Sequence, residues 1–342
     1  MIEWRKFYQL DNRGRLLSIA LILLGISLLN PSANLPKRVF DWYLVLDITQ
    51  SMNVRDMEYS GKSTSRLAYS KIAMRDSLRA LPCGSRVALG LFTERDTASV
   101  TQPLEVCAHF AALDETIEHF DWRMAWAADS YVINGLYSAI AHAPKLSDKN
   151  EKAVQVAFIS DGHQAPPINP DYAPAFEGKV GDIKGVVIGV GGYQPTRIPK
   201  LDPDDNITGY WELEEVMRYA TFGMKKKPQS ALEMEHDQNS RNAPHGSNPA
   251  ESTQAHLSAL DETNLKSLAN TTGLKYLRLN KPEKLADAMT QSNLAIWRKS
   301  STDLRSFFAL PAMVLILLFF IPVNSIKSWN FFNSLLFKRK NT

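Results

Sequence analysis

The stretch Trp42-Tyr-Leu-Val-Leu-Asp-Ile-Thr-Gln-Ser51 decides the predicted fold of this chain. Its first five residues are large and apolar, as expected for a short strand that is buried on both faces of a sheet. Asp47 ends the apolar run, and hydroxyl side chains follow at Thr49 and Ser51, which gives the pattern D-x-T-x-S. A buried strand that leads directly into such a polar loop is typical of open α/β sheets, where ligands bind at the carboxyl ends of the strands.

Strand and helix patterns alternate along the rest of the chain. This alternation predicts an α/β fold with a doubly wound, mainly parallel sheet and one antiparallel edge strand. The predicted strands are 86–92, 97–101, 154–159, 183–190 and 275–279, and the predicted helices are 65–81, 108–120, 132–143, 261–269 and 282–297. The segment from about 211 to 258 is polar and has few aliphatic residues, so we interpret it as an insertion without a core of its own.

The overall composition and charge bear on whether the chain binds nucleic acid. The chain has 342 residues, of which 44% are hydrophobic, enough to bury a sizeable core. Its 39 basic and 36 acidic residues give a net charge of +3, and no stripe of Lys and Arg alternates with aromatic residues. The composition therefore gives no indication of nucleic-acid binding.

Two uncharged stretches, 16–36 and 306–326, are each 21 residues long. Because a membrane-spanning helix needs about 20 predominantly apolar residues, we predict a transmembrane helix at each stretch. The basic leader, 1–15, also fits a cleaved signal peptide, so the first stretch is either an anchor or a signal. Basic flanks stay in the cytoplasm, which assigns the leader and the tail, 327–342, to that side. Residues 37–300 are then predicted to lie in the periplasm, attached to a bacterial inner membrane.

Two further polar loops accompany the D-x-T-x-S loop. Asp161-Gly162 follows the predicted strand 154–159, and Asp129-Ser130 precedes the predicted helix 132–143. Carboxylates and hydroxyls are hard oxygen ligands that suit Mg²⁺ first, with Ca²⁺ or Mn²⁺ as alternatives, and no thiolates or paired histidines suit zinc here. The alternative is that these residues only form turns and helix caps. The candidate metal ligands are Asp47, Thr49, Ser51, Ser130 and Asp161.

The three loops together resemble the metal-ion-dependent adhesion site of von Willebrand A domains. Thr49 stands where that family usually has its first serine, and Ser130 stands where it usually has a threonine, but each keeps its hydroxyl. The resemblance covers about 41–297, apart from the insertion. It implies a metal ion with one open coordination position, which an Asp or Glu of a partner protein fills. On this basis we expect a protein-binding module and not an enzyme.

Finer matches narrow the resemblance to a bacterial group. Ser51-Met52 with Asp56, followed by Ser65-Arg66-Leu67, resembles the membrane-bound A domains that act beside MoxR-type AAA ATPases. The segments 81–86, 121–126 and 161–167 resemble the A-domain L proteins of methanol-dehydrogenase gene clusters. This resemblance implies that the partner is a methanol dehydrogenase or one of its accessory proteins. The implied role is maturation of that enzyme by insertion of calcium or a cofactor.

Other functions stay open at this point. One is a Bat-type envelope stress or assembly factor with another client, and another is a structural or adhesive surface protein. A metal-dependent hydrolase could use the same ion as a Lewis acid. Against the hydrolase, the sequence has no general base placed with the carboxylates and no second cluster of ligands.

Four residues next to the candidate ligands are predicted to form a rim that contacts the partner: Met52, Asp129, Gly162 and His163. His163 follows Asp161 by two residues, so it could touch a partner or tune the site. The alternative is that it is an ordinary histidine of a surface loop.

The two cysteines, Cys83 and Cys107, are candidates for a disulfide. If strands 86–92 and 97–101 form a hairpin that turns near Arg95, the two cysteines lie opposite each other at bridging distance. An oxidising compartment would favour the bond. The alternative is a pair of buried thiols.

Overall fold

The computed structural model describes residues 12–126, 129–147, 154–165, 173–219, 254 and 256–320. The chain divides into two compact units, residues 37–298 and residues 1–36 with 299–342. In chain order, the strands are β1 (Ser32–Val39), β2 (Asp41–Asp47), β3 (Met57–Tyr59), β4 (Lys62–Thr64), β5 (Arg86–Thr93), β6 (Asp96–Ser99), β7 (Leu104–Glu105), β8 (Gln155–Ser160), β9 (Gly185–Gly189), β10 (Thr196–Arg197), β11 (Pro199–Leu201), β12 (Ile207–Tyr210), β13 (Leu257–Ser258), β14 (Lys275–Arg278) and β15 (Ile296–Asp303). The helices are α1 (Asn12–Leu28), α2 (Arg66–Ala80), α3 (Phe110–Glu118), α4 (Val132–His142), α5 (Leu213–Tyr219), α6 (Glu262–Thr272), α7 (Glu283–Met289) and α8 (Arg305–Phe320).

A seven-stranded sheet forms the centre of the larger unit. Its order is β14-β9-β8-β2-β5-β6, and β7 also pairs with β5. The five strands from β14 to β5 are parallel, whereas β6 and β7 run antiparallel to β5. The prediction of an α/β fold with a mainly parallel sheet is therefore confirmed, and the antiparallel edge is made of two short strands.

The central strand β2 is buried on both faces of the sheet. Trp42, Leu44 and Leu46 pack into one core, whereas Tyr43 and Val45 pack into the core on the opposite face. All seven of its residues are buried. Since a strand directs successive side chains to opposite faces, a continuous apolar run is what two covered faces require.

Helices cover both faces of this sheet. Leu67 of α2, Leu113 of α3 and Leu285 of α7 belong to the first core. Leu136 of α4 and Leu265 of α6 belong to the second. Burying one such side chain contributes roughly 1.5–3 kcal/mol, so the two cores hold the helices against the sheet and fix the loops at the strand ends.

The predicted helix 282–297 is wrong in its second half. The helix α7 ends at Met289, a 3₁₀ turn follows at Ser292–Leu294, and β15 then begins at Ile296. Burial alternates residue by residue along β15, which is the two-residue period of a strand and not the period of a helix. Its partner strand is β1, which occupies Ser32–Val39. The predicted anchor 16–36 therefore extended too far, because its last residues belong to a strand.

The smaller unit contains α1 and α8, which pack against each other. Within the predicted stretches, α1 ends at Leu28 and α8 is described as far as Phe320. Among the residues described, no helix is both long enough and apolar enough to cross a membrane. The leader as far as residue 11, the tail 327–342 and the segment 220–253 of the predicted insertion lie outside the described residues.

Cys83 and Cys107 form a disulfide, with their Cα atoms 5.2 Å apart. The chain turns between β5 and β6 at Glu94 and Arg95, and β5 then pairs with β7 farther from the turn. This second pairing continues the ladder towards the two cysteines. The bond therefore closes the antiparallel edge of the sheet at the end opposite to the turn.

Replacing both cysteines by serine is expected to lower the free energy of unfolding by about 3 kcal/mol. The bond links residues 24 positions apart, and a loop of that length restricts the unfolded chain by about this amount. Urea unfolding of the variant and of the reduced wild-type chain measures the loss, and the two should agree. An unchanged midpoint in both would show that the bond does not restrict the unfolded chain.

Candidate metal site

Asp47 is the last residue of β2, and its carboxylate is fully buried. The backbone N–H and the hydroxyl of Thr49 donate to Asp47 Oδ1 at 2.9 and 2.7 Å. The hydroxyl of Ser160 donates to Asp47 Oδ2 at 2.7 Å. Thr49 Oγ1 lies 3.3 Å from Ser51 Oγ, so the D-x-T-x-S loop folds back on its own carboxylate.

Asp161 follows β8 directly and is also fully buried. Its Oδ1 accepts the backbone N–H of His163 at 2.9 Å. Its Oδ2 accepts from Arg66 Nη1 at 2.6 Å and from Ser258 Oγ at 3.2 Å. Because β2 and β8 are parallel neighbours, the two aspartates end adjacent strands on the same edge of the sheet.

The two carboxylates affect each other electrostatically. Burial, followed by the negative charge of Asp161, raises the pKa of Asp47 well above its usual range. The hydrogen bonds from Ser160 and Thr49 oppose this rise but do not cancel it. Asp161 is already paired with Arg66, so the buried charge that is costly to form is that of Asp47 unless a further cation joins it.

Ser130 lies on the same edge of the sheet. Its backbone pairs with Glu94, which follows β5, and with Ala165, which follows β8. Its hydroxyl is buried, and it has no hydrogen-bond partner among the described residues. A buried hydroxyl without a partner costs free energy, so Ser130 Oγ is a donor or ligand still available to a bound group.

The alternative interpretation is that the candidate ligands only form turns and helix caps. The two aspartates do form turns, but the hydroxyl of Thr49 does not form a cap. Asp47 and Asp161 each accept the backbone N–H of the residue two positions later, which is an Asx turn. Thr49, however, makes no side-chain cap to the 3₁₀ helix Gln50–Asn53 that follows it. The first helical turn of α4 is likewise not capped by a side chain of its N-cap residue, Tyr131. The hydroxyl of Thr49 is thus not explained by capping.

The donor set fits a hard dication. It combines two carboxylates with the hydroxyls of Thr49, Ser51 and Ser130, all of them oxygen ligands. Among the described residues, no three His, Cys, Asp or Glu side chains form a metal-binding group. A site here would therefore depend on neutral hydroxyls as much as on charge.

The predicted rim needs correction. The side chains of Met52 and Asp129 are fully buried, and that of Met52 is part of the first core, so neither can face a partner. Gly162 is buried with a φ of 77°, and a Cβ there would come within 2.8 Å of Asp261 O and Leu265 Cγ. This position requires glycine for close packing and not for contact with a partner. His163 is half-buried, and its ring Nε2 is out of contact with solvent.

Two neighbours of the site did not emerge from the sequence as site residues. Trp126 is 54% exposed, and its Nε1 donates to the carboxylate of Glu94 at 2.9 Å, next to Ser130.

The second neighbour is Arg66, which is fully buried and bound to Asp161. It is the first residue of α2, where the helix dipole disfavours a positive charge. A basic residue in that position is a signal of a specific tertiary partner.

No family model matches the chain, and a search of curated proteins gives no match. Among solved structures, an aerotolerance-related membrane protein from Bacteroides fragilis is 15% identical, with a TM-score of 0.45 over 74% of this chain and 97% of its own. BatB, a conserved hypothetical protein from Bacteroides thetaiotaomicron, is 15% identical, with a TM-score of 0.44 over 73% and 94%. A von Willebrand factor type A protein from Catenulispora acidiphila is 13% identical, with a TM-score of 0.39 over 83% and 50%. These values are too low to assign a family.

Proposed function

We propose that this chain binds a divalent metal ion at the edge of its parallel sheet and uses the ion to dock a carboxylate of a protein partner. The proposed ion is Mg²⁺, with Ca²⁺ and Mn²⁺ as alternatives, and the proposed ligands are Asp47, Thr49, Ser51, Ser130 and Asp161. The observation that carries this proposal is the buried hydroxyl of Ser130, which has no partner among the described residues and shares the sheet edge with two buried carboxylates. A dication would offset the charges of both carboxylates and give that hydroxyl a partner.

The surroundings of the site support binding of a protein. Trp126 is exposed, and tryptophan is enriched where proteins meet each other, whereas His163 is half-buried. Trp126 is held by Glu94, which pairs directly with Ser130. A partner carboxylate on the ion would therefore lie beside an aromatic surface. The proposed role is docking, and we assign no catalytic residue.

The proposed setting is the outer side of a bacterial inner membrane, with residues 37–300 in the periplasm. Large apolar side chains on α1 and α8 are exposed, among them Leu21 at 72% and Phe320 at 74%. Exposed apolar helices of this kind mark surfaces that contact lipid or another protein. The disulfide supports an oxidising compartment.

For the biological role, we propose assembly or maturation of a client enzyme beside a MoxR-type AAA ATPase. The proposed client is a periplasmic methanol dehydrogenase or one of its accessory proteins, which rests on the motif resemblance alone. A Bat-type assembly factor with a different client would use the same site in the same way.

The full-length chain is expected to capture purified methanol dehydrogenase when Mg²⁺ is present and to lose it when EDTA removes the metal. Asp47→Ala should lose capture even with Mg²⁺, because it removes one of the two carboxylates that hold the ion. Asp76→Ala is the matched control, since this surface aspartate pairs with Arg79 on α2 and has no contact with the site. A pull-down with each variant makes the comparison. Capture that survives both EDTA and Asp47→Ala would contradict metal-dependent docking.

A further inference from the structure

Arg66, the first residue of α2, is hydrogen-bonded to three other segments of the larger unit. Its Nε donates to Asp56 Oδ1 at 3.0 Å, and its Nη1 donates to Asp161 Oδ2 and to Ser258 Oγ, each at 2.6 Å. Its Nη2 donates to the backbone carbonyl of Ser258 at 3.2 Å. The guanidinium, Asp161 and Ser258 are fully buried, and Asp56 is the one partner that is partly exposed.

The partners of Arg66 are themselves fixed. Asp56 Oδ2 accepts the backbone N–H of Gly192 at 2.8 Å, which attaches it to the loop after β9. Gly191 passes directly over the guanidinium, and a Cβ at that position would lie 2.7 Å from Arg66 Nε. The Arg66 side chain therefore has little freedom to move.

We propose that Arg66 is the positioning residue of the candidate metal site, holding Asp161 in the orientation in which its carboxylate takes up the ion. This inference rests on the proposed metal-dependent function. The Nε and Nη2 of the planar guanidinium both donate to Asp56, which fixes the plane of the group and with it the direction from which Nη1 meets Asp161 Oδ2. A lysine ammonium has no such plane. Since Asp56 balances its charge, Arg66 can hold Asp161 without leaving an unpaired positive charge at the site.

Whether metal affinity rises or falls when Arg66 is replaced shows whether Arg66 acts by orienting Asp161 or only by its charge. A guanidinium next to a bound cation repels that cation, so if charge alone mattered, removing Arg66 would strengthen metal binding. If Arg66 orients Asp161, removing it weakens binding instead. Residues that orient a metal ligand from outside typically change metal affinity by 10–100-fold.

The test is calorimetric titration of the full-length chain with Mn²⁺ and with Mg²⁺. Arg66→Met and Arg66→Lys are each expected to bind about 10–100-fold more weakly than the wild type. Arg66→Lys keeps the charge and loses the planar group, so it isolates the geometry. The double variant Asp56→Asn with Arg66→Met removes the ion pair as a unit and leaves the net charge unchanged. It guards against a fold lost because a partly buried Asp56 has no positive partner, and it should also bind about 10–100-fold more weakly.

Circular dichroism and the melting temperature of the metal-free chain report whether each variant is folded. A role limited to stability would lower the melting temperature and leave the affinity of the folded variants unchanged, which would overturn the proposal. Wild-type affinity, or tighter binding, in a folded Arg66 variant would overturn it as well. If the wild type binds neither ion, the metal site itself is wrong, and that result is distinct from a failure of Arg66 alone.

Discussion

Mg²⁺ at a thousand times its dissociation constant is expected to raise the free energy of unfolding of the wild-type chain by about 4 kcal/mol. The same concentration should not change the free energy of unfolding of the Asp47→Ala variant. A ligand that binds only the folded state stabilises it by this amount at that concentration. For a unit of this size, the melting temperature should rise by roughly 8–16 °C. The physical reason is that the ion brings positive charge to two buried carboxylates, and burial together with Asp161 already raises the pKa of Asp47. Differential scanning calorimetry with and without EDTA measures the shift.

Two controls accompany this measurement. NaCl at matched ionic strength separates a bound ion from general screening, which acts on exposed charges far more than on buried ones. Asp76→Ala should keep the full shift, because its carboxylate pairs with Arg79 on the surface. A shift of the same size in Asp47→Ala would place the ion elsewhere and would contradict the proposed ligand set.

The central sheet could be predicted from the sequence because its strands are short apolar runs between loops. The run at 42–46 ends on Asp47, and the run at 154–159 precedes Asp161. In a parallel sheet these ends must meet on one edge, so the positions of both aspartates follow from the order of elements. Residue types and their spacing were enough for this part of the site.

The remaining parts depend on contacts between distant segments, which no local pattern encodes. Arg66 and Ser258 are 192 positions apart, yet Arg66 donates to Ser258 and both donate to Asp161 Oδ2. The sequence predicts Met52 at the rim because it follows the candidate ligand Ser51, but the 3₁₀ turn places Met52 in the core. The strand β1 does not stand out in the sequence because its residues up to Pro36 carry no charge and continue the uncharged stretch before them.

Asp41→Asn is expected to lower the free energy of unfolding by about 3–5 kcal/mol, the cost of breaking a buried ion pair by removing one partner. Asp41 begins β2 at the edge of the sheet opposite to the candidate site, and its side chain is 5% exposed. It accepts from Arg86 Nη2 at 2.9 Å and from Arg298 Nη1 at 2.8 Å. The substitution would leave both guanidinium groups facing each other without the carboxylate between them. Urea unfolding at neutral pH measures the loss, and Asp76→Asn on the surface is the matched control.

The free energies of unfolding of the wild type and of Asp41→Asn, measured against pH, test whether the charge of Asp41 causes the loss of stability. Burial alone would raise the pKa of Asp41, but the hydrogen bonds and charges of Arg298 and Arg86 outweigh burial and lower it. Because the folded-state pKa is lowered, this stabilisation is complete above the ordinary aspartate pKa of about 3.9 and is lost as the pH falls through the lower folded value. The stability difference between wild type and Asp41→Asn should therefore be constant near neutral pH and shrink below about pH 4. A difference that stays the same down to pH 3 would mean that shape, and not the charge of Asp41, accounts for the loss.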